Sequence, residues 1–328
     1  MSKANESFAQ RMKEHQISWA RQRGHSELLE PRKDKAPSWV LKEGSEDKNV
    51  KVKSWWQYIK GREHKWARSL LSSQCFAVNL FGPLVEKPIL AKRVLEELLP
   101  HRTIAKDDVV NVLFEHTPEN APEWLGETGQ PTQIDVFFTI QRFKKPIGYL
   151  LIEVKFTEQE FGSCRGAVES TPTQPGNPDS ARCLSLQAVL ANPKEICWMA
   201  NEDENGRHYW EYMQPPNAPF NFPVSGPCPF RQSLYQLMRN QVLAIALVQK
   251  TSADWAEFGV CIHPGNTRVR QLPQPVAGHT DALKAFNQLL PTQHVLEIDP
   301  LRVMQIAKKN DPVCSEWTDW MISRYELH

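Results

Sequence analysis

Residues 132–156, TQIDVFFTIQRFKKPIGYLLIEVKF, constrain the fold more than any other stretch of this 328-residue chain. Residues 133–140 are rich in β-branched and aromatic side chains, the composition of a strand. Residues 141–146 are polar and close on Pro146, which marks a turn. Residues 147–156 are almost wholly apolar, as in a central strand covered on both faces. Three charges nevertheless interrupt this pair: Asp135, Glu153 and Lys155. Glu153 and Lys155 are two apart, so a strand directs both to one face. An unpaired charge in a core is costly, so the end of the apolar run should open into a cleft. With Asp135 alongside, two carboxylates can hold a hard cation such as Mg2+, which takes oxygen ligands and keeps several waters. A neighbouring ammonium can orient or deprotonate one of those waters, and the set then suits metal-assisted phosphodiester hydrolysis. An ordinary Glu/Lys pair at a strand end beside a turn Asp fits the same spacing, and spacing alone leaves both readings open.

At these residues the chain resembles the PD-(D/E)XK phosphodiesterase superfamily, the fold of many restriction endonucleases. Within it, the chain is most similar to a set of bacterial restriction-endonuclease-like proteins. The likeness is carried by SSQCFAVNLFGPL (72–84), FEHTPENAPEWLGE (114–127), TQIDVFF, LLIEVKFTEQEFGSC (150–164) and YQLMRNQVLA (235–244). It runs from about residue 66 to the C-terminus. The resemblance implies that Asp135 and Glu153 bind metal, helped by the backbone carbonyl of Val154, and that Lys155 completes the ExK pair. Ile134 stands where a proline usually precedes the aspartate. Such proteins often add a carboxylate from the first helix or from the strand before the aspartate. Glu86 and Glu115 are the candidates, with Glu115 preferred. The helix after the ExK strand often brings polar residues to the scissile phosphate or the lysine, a role that Gln236 and Arg239 fit, with Tyr235 beside them. Arg239 suits a phosphate because its planar fork pairs bidentately; loop capping is the other reading of both residues.

The net charge is +1, so the whole chain is no polycation. Residues 1–70, however, hold 16 Lys+Arg against 9 Asp+Glu, leaving about −6 for the remainder. A basic N-terminal segment on a near-neutral body fits a DNA-contacting arm and equally a solvated tail. Residues 1–53 are accordingly read as a charged arm or linker and 54–328 as the nuclease-like domain. No stretch is long and apolar enough to span a membrane and no secretory h-region is present. Seven Cys, an odd number, suit a reducing cytoplasm better than a disulfide framework.

Along the chain, residues 7–23 read as a weakly amphipathic helix and 31–53 as linker-like. Residues 54–71 interleave Trp55, Trp56, Tyr58 and Trp66 with cations. That pattern suits base stacking with phosphate pairing, but a helix laying its aromatics on the core is preferred. Residues 72–84 form a buried helix and 88–99 an amphipathic one with Ile89, Leu90, Val94, Leu95, Leu98 and Leu99 on one face. Residues 109–116 form the first strand of an antiparallel meander. An irregular insertion occupies about 158–229 and carries Cys164, Cys183, Cys197 and Cys228. A loop-rich insert that needs a staple favours a zinc ion or an iron–sulfur cluster there, the latter as in some nucleases of the superfamily. The absence of short Cys-x2-4-Cys knuckles favours separate buried thiols. A long helix at 230–250, a strand at 255–263, a helix at 281–290, a short strand at 294–298 and two closing helices complete an α/β chain with a mixed sheet flanked by helices.

No GxxxxGK[ST] loop is present, so no built-in ATPase is expected, and no GxSxG, HExxH or strand-borne GxGxxG occurs. The resemblance to restriction nucleases implies a DNA endonuclease dependent on Mg2+ (or Mn2+), acting in restriction or antiviral defence and leaving the 5′-phosphate and 3′-hydroxyl ends usual in the superfamily. Double-strand cleavage from a single active site would call for a homodimer. The rival expectations are a nucleic-acid-binding module with a vestigial or regulatory centre, and an RNA-directed nuclease.

Overall fold

The computed structural model describes residues 7–31, 37–171, 176–214, 220–290 and 294–328. Helix α1 (Phe8–Gln22) is capped by the Ser7 hydroxyl, which accepts from Gln10 N, and buries Met12, Gln16, Trp19 and Ala20. The Gln16 amide donates to the carbonyl of Arg324 near the C-terminus at 2.5 Å. A small hairpin, β1 (Leu29–Pro31) with β2 (Pro37–Leu41), follows. The charged N-terminal segment, where described, thus lies folded against the body of the domain; residues 32–36 of the linker-like stretch fall outside the described residues.

The helix expected over 54–71 is a correction. Only a short 3-10 turn, Lys53–Tyr58, forms, and it buries the adjacent Trp55 and Trp56. Neighbours in sequence do not share one face of an α-helix, so burying both requires a tighter turn. Gly61, at φ +81°, then turns the chain away, and Trp66 is left 61% exposed.

Helix α2 (Ser73–Glu86) is capped by Ser72 and is buried along almost its whole length. Pro83 lies inside it, which removes the bond to the carbonyl of residue 79. The Trp317 indole supplies the missing donor, reaching Asn79 O at 2.7 Å. Helix α3 (Pro88–Leu98) begins with proline, whose missing N–H is no loss at that position. Ile89, expected on its apolar face, instead points outward.

The central sheet has the order β3 (Val109–His116), β4 (Ile134–Arg142), β5 (Lys145–Lys155), β6 (Trp255–Ile262) and β9 (Leu296–Glu297). The first three strands form the expected antiparallel meander, and β6 and β9 add in parallel. A short helix, α4 (Ala121–Trp124), lies between β3 and β4. The β4–β5 turn is only two residues, Phe143 and Lys144, both with positive φ. This is the twist that joins right-twisted strands tightly. The insertion contributes α5 (Leu186–Ala191), α6 (Pro193–Ile196) and α7 (Tyr209–Met213). It leads into α8 (Tyr235–Lys250), which begins later than residue 230 because Pro229–Arg231 forms a separate 3-10 turn. A second hairpin, β7 (Gln271–Val276) with β8 (His279–Asp281), precedes α9 (Ala282–Leu289), and α10 (Pro300–Asn310) and α11 (Cys314–Tyr325) close the chain.

Alternation along β5 explains the layering. Leu150, Ile152 and Val154 enter a core shared with α2, α3, α10 and α11. Tyr149 and Leu151 enter the opposite core, formed with α8, α9 and the insertion. No helix among the described residues is long and apolar enough to cross a membrane.

Candidate active site

The same alternation carries Glu153 and Lys155 to the α8 side of the sheet. Both are buried, at 1% and 7% exposure. The β4–β5 register pairs Val136 with Ile152, which sets Asp135 opposite Glu153. The β3–β4 register pairs Phe114 with Val136 and His116 with Ile134, so Glu115 falls opposite Asp135. Three neighbouring strands thus align three carboxylates in one row. Glu115 breaks the ladder there with φ +47°, an uncommon conformation for a residue other than glycine. Its carbonyl, freed from the sheet, accepts from Arg62 at 3.1 Å and from Gln133 at 3.0 Å.

Each charge has defined partners. Lys155 Nζ donates to Glu153 Oε1 at 2.7 Å and to Gln236 Oε1 at 2.8 Å. Asn240 Nδ2 donates to Glu153 Oε2 at 2.8 Å. Gln236 and Asn240 are one turn apart on α8, so one helix face presents both amides. The start of α8 is pinned to the chain leaving β5: Phe161 N donates to Ser233 Oγ at 2.7 Å and Gln236 N to Phe161 O at 3.1 Å. Asp135 Oδ2 accepts from Val154 N at 2.7 Å. Val154 therefore contributes its N–H to the cluster.

The electrostatics follow from crowding three acids around one cation. Burial, then the charges of Glu153 and Glu115, raise the Asp135 carboxyl well above its ordinary value, against the pull of Lys155 and the Val154 N–H. Burial raises Glu115 to about 7, with Glu153 adding to it and a bond from Gln74 opposing. Burial works against the Lys155 ammonium, yet Glu153, Glu158 and Asp135 together raise it. This surplus of negative charge in a low-dielectric spot is what a divalent cation relieves. No group of three or more His, Cys, Asp or Glu side chains that could hold a metal ion occurs among the described residues. Mg2+ generally takes only one or two carboxylates from its protein and completes its shell with water and substrate oxygens. Asp135 and Glu153 are the pair suited to that, with Glu115 at the end of the row.

The other expected residues are placed differently. Arg239 Nε donates to Thr132 Oγ1 at 3.1 Å, and its Nη2 reaches Glu127 Oε1 at 3.4 Å. The Tyr235 ring lies 5.8 Å below the same guanidinium. Glu127 is buried and also accepts from Thr132 N at 2.6 Å and from the Tyr209 hydroxyl at 2.6 Å. Arg239 and Tyr235 thus belong to a bracing network beside the row of acids. Glu86 accepts from the Trp55 indole at 2.8 Å, away from Asp135 and Glu153. Two contributors were not singled out from sequence. Asn240 is signalled by its four-residue offset from Gln236. Glu158 lies three residues past Lys155, accepts from Phe156 N at 2.8 Å and helps hold the ammonium charged.

A groove of ≈ 440 Å³, lined by His64, Trp66, Gln74, Thr157 and Glu158 among others, borders the site. No curated protein and no solved structure matches this chain. Residues 6–326 match the model of a family described as Restriction Endonuclease associating with ARP. That match spans nearly the whole chain, and the α/β core with its mixed sheet agrees with it: the chain belongs to the Restriction Endonuclease associating with ARP family.

Proposed function

We propose that the chain is a metal-dependent endonuclease of the PD-(D/E)XK type that cuts DNA in restriction or antiviral defence. The family's description supports a nuclease role. The observation that carries the reading is the position of Lys155 between Glu153 and Gln236, with Asp135 opposite Glu153 in register.

Asp135 and Glu153 would hold Mg2+ or Mn2+, whose chemistry there is to polarise the scissile phosphate and acidify a bound water. The chain's own residues do the rest. The Lys155 ammonium, kept protonated by its acidic neighbours, neutralises charge that develops on the phosphate. Gln236 and Asn240 fix Lys155 and Glu153 from one helix face. Glu115, the third carboxylate of the row, would complete the metal's shell from the neighbouring strand.

The test is cleavage of supercoiled plasmid, modified and unmodified phage DNA, and RNA, with Mg2+, Mn2+ or EDTA. Metal-dependent cutting of DNA that is lost in Lys155→Ala supports the reading, and direct linearisation would point to paired sites in a homodimer. Metal binding with no cleavage of any substrate would leave a nucleic-acid-binding module, and cleavage of RNA alone would leave an RNA-directed nuclease.

A further inference from the structure

The basic N-terminal segment, whose sequence fits a DNA-contacting arm and a solvated tail equally, is fixed to the body beside the row of acids. Strand β2 runs antiparallel to residues 68–70. Leu70 N donates to Trp39 O at 2.8 Å, Leu41 N to Arg68 O at 2.9 Å, and Val40 bridges Ser69. Leu29 and Leu41 of the hairpin share a small core with Trp19, Ala20 and Leu70. Paired backbone and packing therefore hold Trp39 in place.

Trp39 lines the ≈ 440 Å³ groove that borders the site, together with Trp66 from the loop before α2. Each indole carries an ammonium. Lys13 Nζ of α1 lies 3.5 Å from the centre of the Trp39 ring, and Lys65 Nζ lies 5.5 Å from that of Trp66. An indole with a cation beside it offers a base a stacking face and the adjoining phosphate a countercharge. The same groove reaches the row of acids. Gln74, which lines it, bonds to Glu115, and Glu158, which also lines it, helps hold the Lys155 ammonium charged.

A base inside a duplex has both ring faces covered by its neighbours in the stack, so only an unpaired or extruded base can use these indoles. Proteins that take up such a base stack it on aromatic side chains and hydrogen-bond its edge. The groove has the means for both. Glu158 Oε2 accepts from Phe156 N at 2.8 Å, and a carboxylate in that position can also accept from the exocyclic amine of a base.

We propose that this groove captures one unpaired nucleotide of a DNA strand, stacked on Trp39 and Trp66, and so directs the centre to bulged, mismatched or single-stranded DNA rather than to uniform duplex. The proposal rests on the nuclease reading for its substrate and adds which DNA is chosen.

The test is binding of the full chain, in EDTA, to duplexes that are fully paired or carry a single bulged 2-aminopurine, with cleavage of the same duplexes in Mg2+ measured alongside. The bulged duplex should bind at least about 5-fold more tightly, the lower end expected for one stacked base, with its 2-aminopurine emission quenched on binding. Trp39→Ala and Trp66→Ala should each remove most of that preference. Trp39→Phe should keep it, which separates stacking from support of the hairpin. Trp66, being 61% exposed, keeps the test decisive should Trp39→Ala fail to fold. Equal affinity for the two duplexes, binding to neither, or a preference that survives in both alanine variants would overturn the proposal. Cutting of paired and bulged DNA at equal rates would overturn it and leave the nuclease reading standing. A preference for the bulge that needs both indoles, without cleavage in any metal, would do the reverse.

Discussion

Lys155 Nζ lies 2.7 Å from Glu153 Oε1, the two side chains projecting from one face of β5 with both groups buried. A buried pair of this kind is a weak source of stability, because desolvation consumes most of the Coulombic gain. Under the nuclease reading, its place at the end of an apolar strand serves chemistry instead.

Lys155→Met should therefore lower the cleavage rate by about 10²–10³-fold, the range for losing one preorganised charge-stabilising group. Lys155→Arg should rescue little, because a planar fork cannot replace a compact ammonium between Glu153 and Gln236. Single-turnover cleavage with saturating substrate checks this, with circular dichroism confirming the fold. Full activity in Lys155→Met would remove the ammonium from the mechanism.

The crowded acids predict a pH signature in the metal-free protein. Glu115 sits at about 7 in the folded chain against 4.5 for a free glutamate. Below 4.5 it is protonated in both states and costs nothing. Between 4.5 and 7 the unfolded chain releases the proton that the folded chain keeps, so stability falls as pH rises and stays reduced above 7. The raised Asp135 adds a contribution of the same sign. Melting curves should show that decline, Glu115→Gln should flatten it, and Mg2+ should raise Tm more above pH 7 than below 4.5. A Tm that climbs over the window without metal would contradict the electrostatics.

Asn240 acts through Glu153, so it is a positioning residue. Asn240→Ala removes the donor from Glu153 Oε2 and should weaken apparent metal affinity by about 10-fold, within the usual range for residues that orient metal-binding groups. Asn240→Asp sets a like charge against Glu153 and should cost more than the alanine. Calorimetric titration with Mn2+ separates this from a folding defect, and equal affinities in the two variants would refute it.

Glu127 ties Thr132, Tyr209 and Arg239 together from a buried position. Glu127→Ala leaves a mostly buried guanidinium and a buried phenol without their acceptor. It should destabilise the fold by about 3–5 kcal/mol. A double-mutant cycle with Arg239→Leu, read by urea unfolding, should give a coupling of about 1–3 kcal/mol. Near-additivity would free Arg239 for the phosphate-contacting role that the resemblance implies for a polar residue on this helix.

Much of this geometry is legible in the sequence for a simple reason. Period-two alternation places Tyr149, Leu151, Glu153 and Lys155 on one side of β5, so the charged pair and its face follow from the strand alone. The two-residue turn at Phe143–Lys144 does not, because neither residue is a usual choice for positive φ. Glu115 is readable as a candidate, but its left-handed backbone depends on tertiary contacts from Arg62 and Gln133. The aromatic run at 54–71 misleads because its apolar content suggests a helix, while packing Trp55 and Trp56 together demands a turn. Cys164, Cys197, Cys228 and Arg207 meet at one small cavity only through long-range contacts, and no local spacing announces them.

Trp66 tests how substrate reaches the row. It is 61% exposed on the rim of the ≈ 440 Å³ groove that also holds Gln74 and Glu158, and Lys65 Nζ lies 5.5 Å from its ring. Trp55 and Trp56, by contrast, are spent on the core. An exposed indole with an adjacent cation can stack a base while the cation meets phosphate, worth about 1–3 kcal/mol per stacked base. Trp66→Ala should weaken binding to DNA, measured in EDTA so that nothing is cut, by about 5–150-fold, and Tm should stay unchanged because the ring buries little. Fluorescence anisotropy with labelled single- and double-stranded oligonucleotides measures it. A larger loss on single strands would assign the groove to an unpaired or flipped base. Unchanged affinity for both would place the substrate path elsewhere, and would leave Trp66 as a solvent-exposed residue beside Lys65.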